Sequence, residues 1–309
     1  MVQITEIRNE VFGNCLRLEN GIIELEVSLD FGPRILHFSL KGKENMFYND
    51  LEKTALKDSV AFYGDEQLRL YGGHRIWISP EVVPRCYHPD NLPVTYKKTE
   101  NGVIVSGPIE EHTNIQKIMK ITVYPDKPEV GIDHSITNHS LWDIEFAVWC
   151  ITIMDAGGKT VIPIANKAEK SAAFLPNRNI SLWEYTAMND KRVYWGKDYI
   201  TINQQPGFEK PFKIGVNNDS GWGAYFNKGQ VFLKFFTPIE NGILPDNGCN
   251  YEVYANNLML EMETLGEMEI LAPGETVSHM EEWEIYESGY MPGTDEDEIT
   301  KEINKFLNK

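Results

Sequence analysis

Two acids near the C-terminal end of the chain have the type and spacing for proton chemistry. In Leu258-Met-Leu-Glu261-Met-Glu263, side chains two apart share a strand face, so Leu258, Leu260 and Met262 form an apolar set. Met259, Glu261 and Glu263 then lie on the opposite face, with the two carboxylates roughly 7 Å apart by strand rise. Paired carboxylates among apolar neighbours can exchange protons or grip hydroxyl groups. The competing reading is a solvated sheet surface, where most Asp and Glu lie.

Three further clusters carry chemistry. Leu70-Tyr-Gly-Gly-His-Arg-Ile-Trp77 combines paired glycines with a phenol, an imidazole, a guanidinium and an indole. Sugars suit such a set, because their C–H faces pack on aromatic rings and their hydroxyls need directional partners. The same residues also fit a turn with a surface His74 and a core Trp77. Thr137-Asn-His-Ser140 is a turn leading to a strand that contains Trp149, with Phe146 on its other face. Leu244-Pro-Asp-Asn-Gly-Cys-Asn-Tyr-Glu-Val-Tyr254 is a polar loop that can bring Asp246 or Asn250 to a site, or serve only as a hairpin turn.

The elements that must position these residues read as strand after strand. Ile23-Glu-Leu-Glu-Val-Ser-Leu29 alternates apolar and polar without fault, and ten similar runs follow, from residues 34–40 to 249–254. Turn signals such as Asn101-Gly102, Asn241-Gly242 and Pro273-Gly274 separate them. Many short strands with almost no helical periodicity mean an all-β sandwich or barrel. One helix stands out over residues 294–309: Thr294 and the acidic run 295–298 mark its start, and Ile299, Ile303, Phe306 and Leu307 make an apolar stripe. No linker or repeat interrupts residues 1–309, which read as a single domain with a possible long excursion over 163–196.

Charge and composition narrow the function classes. The chain has 309 residues, 42% hydrophobic and 11% aromatic, enough to bury a large core. Its 46 acidic and 29 basic residues give a formal charge of −17, which opposes binding to nucleic acid or an anionic membrane. No apolar run reaches the ~20 residues of a membrane span and no leader is visible. Cys15, Cys86, Cys150 and Cys249 have no CxxC spacing and read as thiols in a reducing compartment, so a cytoplasmic location is expected. Gly158-Lys-Thr160 lacks the first glycine of a phosphate loop, and Gly221-Trp-Gly223 lacks the third of a dinucleotide fingerprint. His134 and His139 have no zinc-ligand spacing, so neither a metal nor a cofactor is expected.

Taken in order, the clusters resemble the aldose 1-epimerase (galactose mutarotase)-like superfamily. The stretches that carry the resemblance are Phe31-Gly-Pro-Arg-Ile35, Leu70-Tyr-Gly-Gly73, Thr137-Asn138 with the strand to Trp149, Leu258 to Glu263, Leu271-Ala-Pro-Gly-Glu275 and Trp283-Glu-Ile-Tyr286. They run from about Gly21 to Tyr286, in order across nearly the whole chain. The resemblance implies a large antiparallel β supersandwich with a sugar cleft on a sheet face, here followed by the short helix. It implies that Glu261 is the base that takes the proton of the anomeric hydroxyl, with Glu263 in place of a glutamine. The two histidine positions of the family map to Tyr71 and Trp149, which marks a divergent branch. His74 or Tyr71 is then the expected acid, or the two coupled carboxyls supply both roles.

The expected function is therefore carbohydrate binding with aldose mutarotase-type proton transfer, by Glu261 with His74 or Tyr71. Arg34, Arg75, Trp77, Trp149, Asp246 and Glu263 complete the expected sugar-binding set. The alternatives are a catalytically silent carbohydrate-binding protein, or a polysaccharide lyase-like enzyme using Tyr71, His74 and Arg75. The partner is a small-molecule carbohydrate; the residues name neither the sugar nor an oligomeric state.

Overall fold

A computed structural model describes residues 1–56, 62–64, 66–165 and 175–307. The parts of the 163–196 excursion between 166 and 174 lie outside these residues.

The chain forms two antiparallel sheets. The order in the first is Gln3–Asn9, Gly13–Glu19, Ile23–Ser28, Arg34–Leu40, His74–Ser79, Ile144–Asp155, Met259–Leu265, Tyr251–Ala255, Phe212–Val216 and Ile180–Leu182, with Glu269–Leu271 also on Ile144–Asp155. In the second it is Val193–Trp195, Tyr199–Asn203, Lys159–Pro163, Trp222–Asn227, Gln230–Phe236, Thr276–Glu287, Glu129–Asn138, Ile115–Val123, Gly102–Ile109 and Thr95–Lys98. This is the all-β supersandwich expected from the sequence. Among the described residues no helix is long and apolar enough to cross a membrane.

Period-two patterning fixes which residues meet between the sheets. Glu129–Asn138 alternates strictly, sending Val130, Ile132, His134 and Ile136 inward. Thr276–Glu287 does the same with Val277, His279, Glu281, Trp283 and Ile285. Phe38 and Phe47 meet Phe232 and Trp283 at ring-centroid distances of 5.5 to 5.9 Å, an aromatic cluster that ties the sheets together.

The C-terminal helix spans Glu296–Leu307 and buries Ile299, Ile303 and Phe306 against Val161, Trp222, Ala224, Phe226, Val231 and Leu233 of the second sheet. Its cap is Asp295, not Thr294. The Asp295 carboxylate accepts from the backbone N–H groups of Asp297 and Glu298 at 3.0 and 3.2 Å, and an ionised carboxylate answers those donors better than a hydroxyl.

His74–Ser79 is a fully buried strand, where the sequence suggested a turn. The turn ends one residue earlier, at the paired glycines. A Cβ on Gly72 would stand 2.1 Å from the Tyr48 carbonyl oxygen, and one on Gly73 would stand 2.1 Å from that of Ile35. The glycines thus serve a close approach of backbone to backbone.

Candidate active site

Contacts across the sandwich define the two faces of the central strands. Thr152 receives a hydrogen bond from Lys234 of the other sheet, His74 pairs with His134, and Thr264 bonds to Glu281 and His279. These residues point inward. Their strand neighbours Arg75, Trp77, Trp149, Ile151, Glu261 and Glu263 therefore point to the outer face. Antiparallel register then lines them up. Arg75, Ile151, Glu263 and Glu252 form one row across four strands. Glu261, Tyr254 and Lys213 form the next, and Trp77, Trp149 and Leu265 a third.

Over these rows lies a cavity of about 320 Å³, walled by Arg75, Trp77, Trp149, Lys213, Tyr254 and Glu261, with Glu81, Tyr87, Tyr185 and Asn256 at its margin. The Arg75 guanidinium stacks on the Trp77 ring, 4.0 Å from its centroid. Arg75 is 4% exposed, and its Nε and Nη1 have no hydrogen-bond partner among the described residues. Buried fork donors left unpaired are costly, so this geometry suits a ligand that supplies acceptors.

Lys213 is the second cation. Its Nζ lies 2.8 Å from Glu252 and 2.9 Å from Glu263, between the rings of Trp149 and Trp183 at 4.5 and 4.7 Å. Burial disfavours its charge, but the carboxylates of Glu263 and Glu252 outweigh this and hold its pKa well above that of a free lysine. Glu252 is held well above the usual carboxylate range by burial, against the pull of Lys213. Glu261 is pushed up to about 7, first by burial and then by the charge of Glu263, while Arg75 and Lys213 pull the other way. A carboxyl group near 7 is divided between acid and base at neutral pH.

The expected site residues separate into two groups. Glu261, Arg75, Trp77 and Trp149 line the cavity together. Glu263 lies beneath it, fully buried, and accepts a hydrogen bond from Trp149 Nε1 at 2.7 Å. Asp246 lines an adjoining cavity and accepts from Ser79 Oγ at 3.1 Å.

His74, Tyr71 and Arg34 are corrections. His74 is on the inward face, its Nε2 2.7 Å from His134 Nε2 and its Nδ1 2.8 Å from Thr152 Oγ1, so it cannot serve Glu261 as an acid. Tyr71 stacks on Phe31 at 3.9 Å in a separate cluster and donates to Asn91 Oδ1, which removes it from the cavity as well. Arg34 is fully buried and holds the Leu70–Gly73 turn, donating to the carbonyls of Leu70 and Gly72 and pairing with Asp90 at 2.6 Å. The trio Tyr71, His74 and Arg75 needed for lyase-type chemistry is thus divided among three environments. None of the seven histidines lines the Glu261 cavity.

Sequence reading missed Lys213, and it gave Glu252 and Tyr254 no role beyond the polar loop, where the structure has the strand Tyr251–Ala255. Lys213 interrupts the otherwise apolar, fully buried strand Phe212–Val216, and that interruption was the available signal. It also missed the inward His74, His134, His279 and Glu281. Lys234 Nζ stands 2.8 Å from Glu281 among them, so an ammonium already supplies the cation in this histidine–carboxylate cluster.

A larger cavity of about 480 Å³ lies beyond Trp77, near His88, Asp90, Glu110 and Lys117. Its charges are largely turned on one another, with Lys117 on Glu110 and Arg34 on Asp90, both at 2.6 Å.

No family model and no curated protein matches the chain. Solved structures do match it. A putative aldose 1-epimerase from Klebsiella pneumoniae aligns over 100% of this chain and 89% of its own, with TM-score 0.58 and 12% identity. A putative mutarotase from Salmonella typhimurium aligns over 93% and 97%, with TM-score 0.56 and 10% identity. The Slr1438 protein from Synechocystis aligns over 93% and 96%, with TM-score 0.58 and 10% identity. The chain has the fold of aldose 1-epimerase and galactose mutarotase-like proteins.

Proposed function

We propose that the protein binds an aldose in the Arg75–Trp77–Glu261 cavity and exchanges its anomers by proton transfer through Glu261. The observation that carries this reading is Glu261 itself, a carboxyl group raised to about 7 beside a buried arginine with unpartnered donors. The sugar ring packs its C–H face on Trp77 and Trp149. Glu261 takes the proton of the anomeric hydroxyl while the ring oxygen, held by Arg75, receives a proton and the C1–O5 bond breaks. Tyr254, opposite Glu261 in the strand register, is the hydroxyl donor for that oxygen; burial raises its pKa and keeps it protonated. Rotation about C1–C2 and the reverse transfers close the ring on the other face, so protons balance over the cycle.

The test is anomer exchange of a panel of free aldoses followed by NMR. Acceleration that Glu261→Gln lowers by about 10²-fold or more supports the reading, and no acceleration of any aldose sinks it.

A second reading, carbohydrate binding without turnover, is favoured by the absence of histidine from the cavity. Saturable binding of a sugar with no change in its anomer exchange selects it.

A further inference from the structure

The Glu261 cavity does not close at Lys213. A second cavity of about 290 Å³ adjoins it, and Glu81, Tyr87, Trp149 and Lys213 line both. Past this common wall the second cavity is bounded by Trp183 and Asp246. Ligand sites run from about 300 to 1,000 Å³, so the inner cavity alone is at the lower end, near the size of one sugar ring, and the pair extends well into the range.

We propose, building on the reading of Glu261 above, that the substrate is a reducing disaccharide or longer oligosaccharide. Its reducing-end unit lies at Glu261 and its next unit occupies the annex between Trp149, Trp183 and Asp246. The reactive C1 must lie at Glu261, and the annex, which shares four lining residues with that cavity, offers room for the next unit of a longer sugar.

The annex is built for a ring that carries hydroxyls. Lys213 Nζ lies 4.5 and 4.7 Å from the Trp149 and Trp183 ring centroids, and both indoles line the annex, where they offer aromatic surface to a C–H face. Asp246 is pinned at its carboxylate by Ser79 Oγ at 3.1 Å and at its carbonyl by Ser181 Oγ at 2.8 Å. Asp246 and Asn247 both adopt left-handed backbone, at φ 49° and 64°. Outside a glycine this conformation is costly and persists only where surrounding contacts impose it. The charge pattern selects further. Lys213 is committed to Glu252 and Glu263, so the carboxylates of Glu81 and Asp246 are the charges left to meet the second unit. They accept from hydroxyls and repel an acidic sugar.

The experiment measures anomer exchange by NMR for common aldohexoses, each beside a reducing disaccharide ending in that hexose, with Kd by calorimetry on the same pairs. The disaccharide is expected to exceed its monosaccharide by about 10-fold in kcat/KM or in affinity, the scale of one well-placed aromatic contact. Trp183→Ala should bring that ratio close to one. Val83→Arg should do the same by filling the annex from its exposed rim, where the fold is least disturbed. A wild-type ratio near one, or a ratio that survives both substitutions, overturns the annex and leaves the Glu261 reading standing. Failure of both sugar classes to bind or react overturns both.

Discussion

Trp149 Nε1 donates to Glu263 Oε2 at 2.7 Å across neighbouring strands, and Lys213 Nζ reaches the same oxygen at 2.9 Å. An indole and a carboxylate are thus turned on each other, and the Lys213 ammonium stands beside them in the cavity wall. Glu263 is therefore the counter-charge of Lys213, while Glu261 presents its carboxyl group to the cavity, with Glu81 at the margin.

Lys213 should be the costliest of these residues to remove. Lys213→Met leaves the buried Glu252 and Glu263 without their cation, and losing one partner of a buried pair costs about 3–5 kcal/mol. Trp149→Phe keeps a ring and deletes one hydrogen bond, which costs about 1–3 kcal/mol with the acceptor left buried. Urea denaturation at pH 7.5 should rank the variants in that order. Combining Lys213→Met with Glu252→Gln and Glu263→Gln should recover most of the loss. A triple variant no better than Lys213→Met would refute the charge-balance account.

Glu261 ties activity to pH and to stability in opposite senses. Its pKa in the folded protein, about 7, is above the unfolded value near 4.5. The folded chain therefore holds a proton that the unfolded chain has lost between these limits, and stability falls as pH rises from about 4.5 to 7. Glu261→Gln should leave thermal stability at pH 4.5 nearly unchanged and raise it at pH 8, by up to roughly 3 kcal/mol before solvent screening at the cavity mouth reduces it. Over the same span wild-type anomer exchange should rise with an apparent pKa near 7, because the base must be ionised. Equal melting temperatures of wild type and Glu261→Gln at pH 8 would contradict the raised pKa.

Much of the fold was legible because alternation is a local signal. Ile23–Ser28, Glu129–Asn138 and Thr276–Glu287 carry their two faces in their own residue order. The site was legible only where it repeats that alternation. Glu261 and Glu263 share a face for the reason apparent in the sequence. His74 fell on the wrong face because Leu70–Trp77 contains both a glycine turn and the start of a strand fully buried on both sides. Such a strand has no polar face to set its phase. With Arg75 outward the phase is fixed, and His74 must point inward. Lys213 escaped because a lone lysine in an apolar strand gains meaning only from Glu252 and Glu263, which lie 39 and 50 residues further along the chain.

The inward histidines should make the protein acid-sensitive, and the hydrogen bonds fix their tautomers. His134 Nδ1 lies 2.9 Å from the His279 carbonyl, which only accepts, so neutral His134 carries its proton there and accepts at Nε2. His74 Nε2 must then be the donor, leaving its Nδ1 to accept from Thr152, whose oxygen accepts in turn from Lys234. Thr264 gives its one proton to Glu281, so His279 donates to it from Nε2. A further proton on His134 would set two donors face to face at 2.7 Å, and one on His74 would turn Nδ1 into a donor against the Thr152 hydroxyl at 2.8 Å. Burial lowers the pKa of all three, that of His279 to about 4, with Glu281 opposing the shift and His134 and Lys234 adding to it. Because unfolded histidine titrates near 6.5, the unfolded chain takes up protons between about 6.5 and 4 that the folded chain refuses. Stability is thus fully present above pH 6.5 and is lost as pH falls, by up to roughly 3 kcal/mol from His279 alone. His279→Gln keeps a donor for Thr264 but cannot titrate. Its melting temperature at pH 7 should lie at or below that of wild type, and its decline toward pH 4 should be shallower. Parallel curves for the two proteins would show that His279 does not titrate with unfolding.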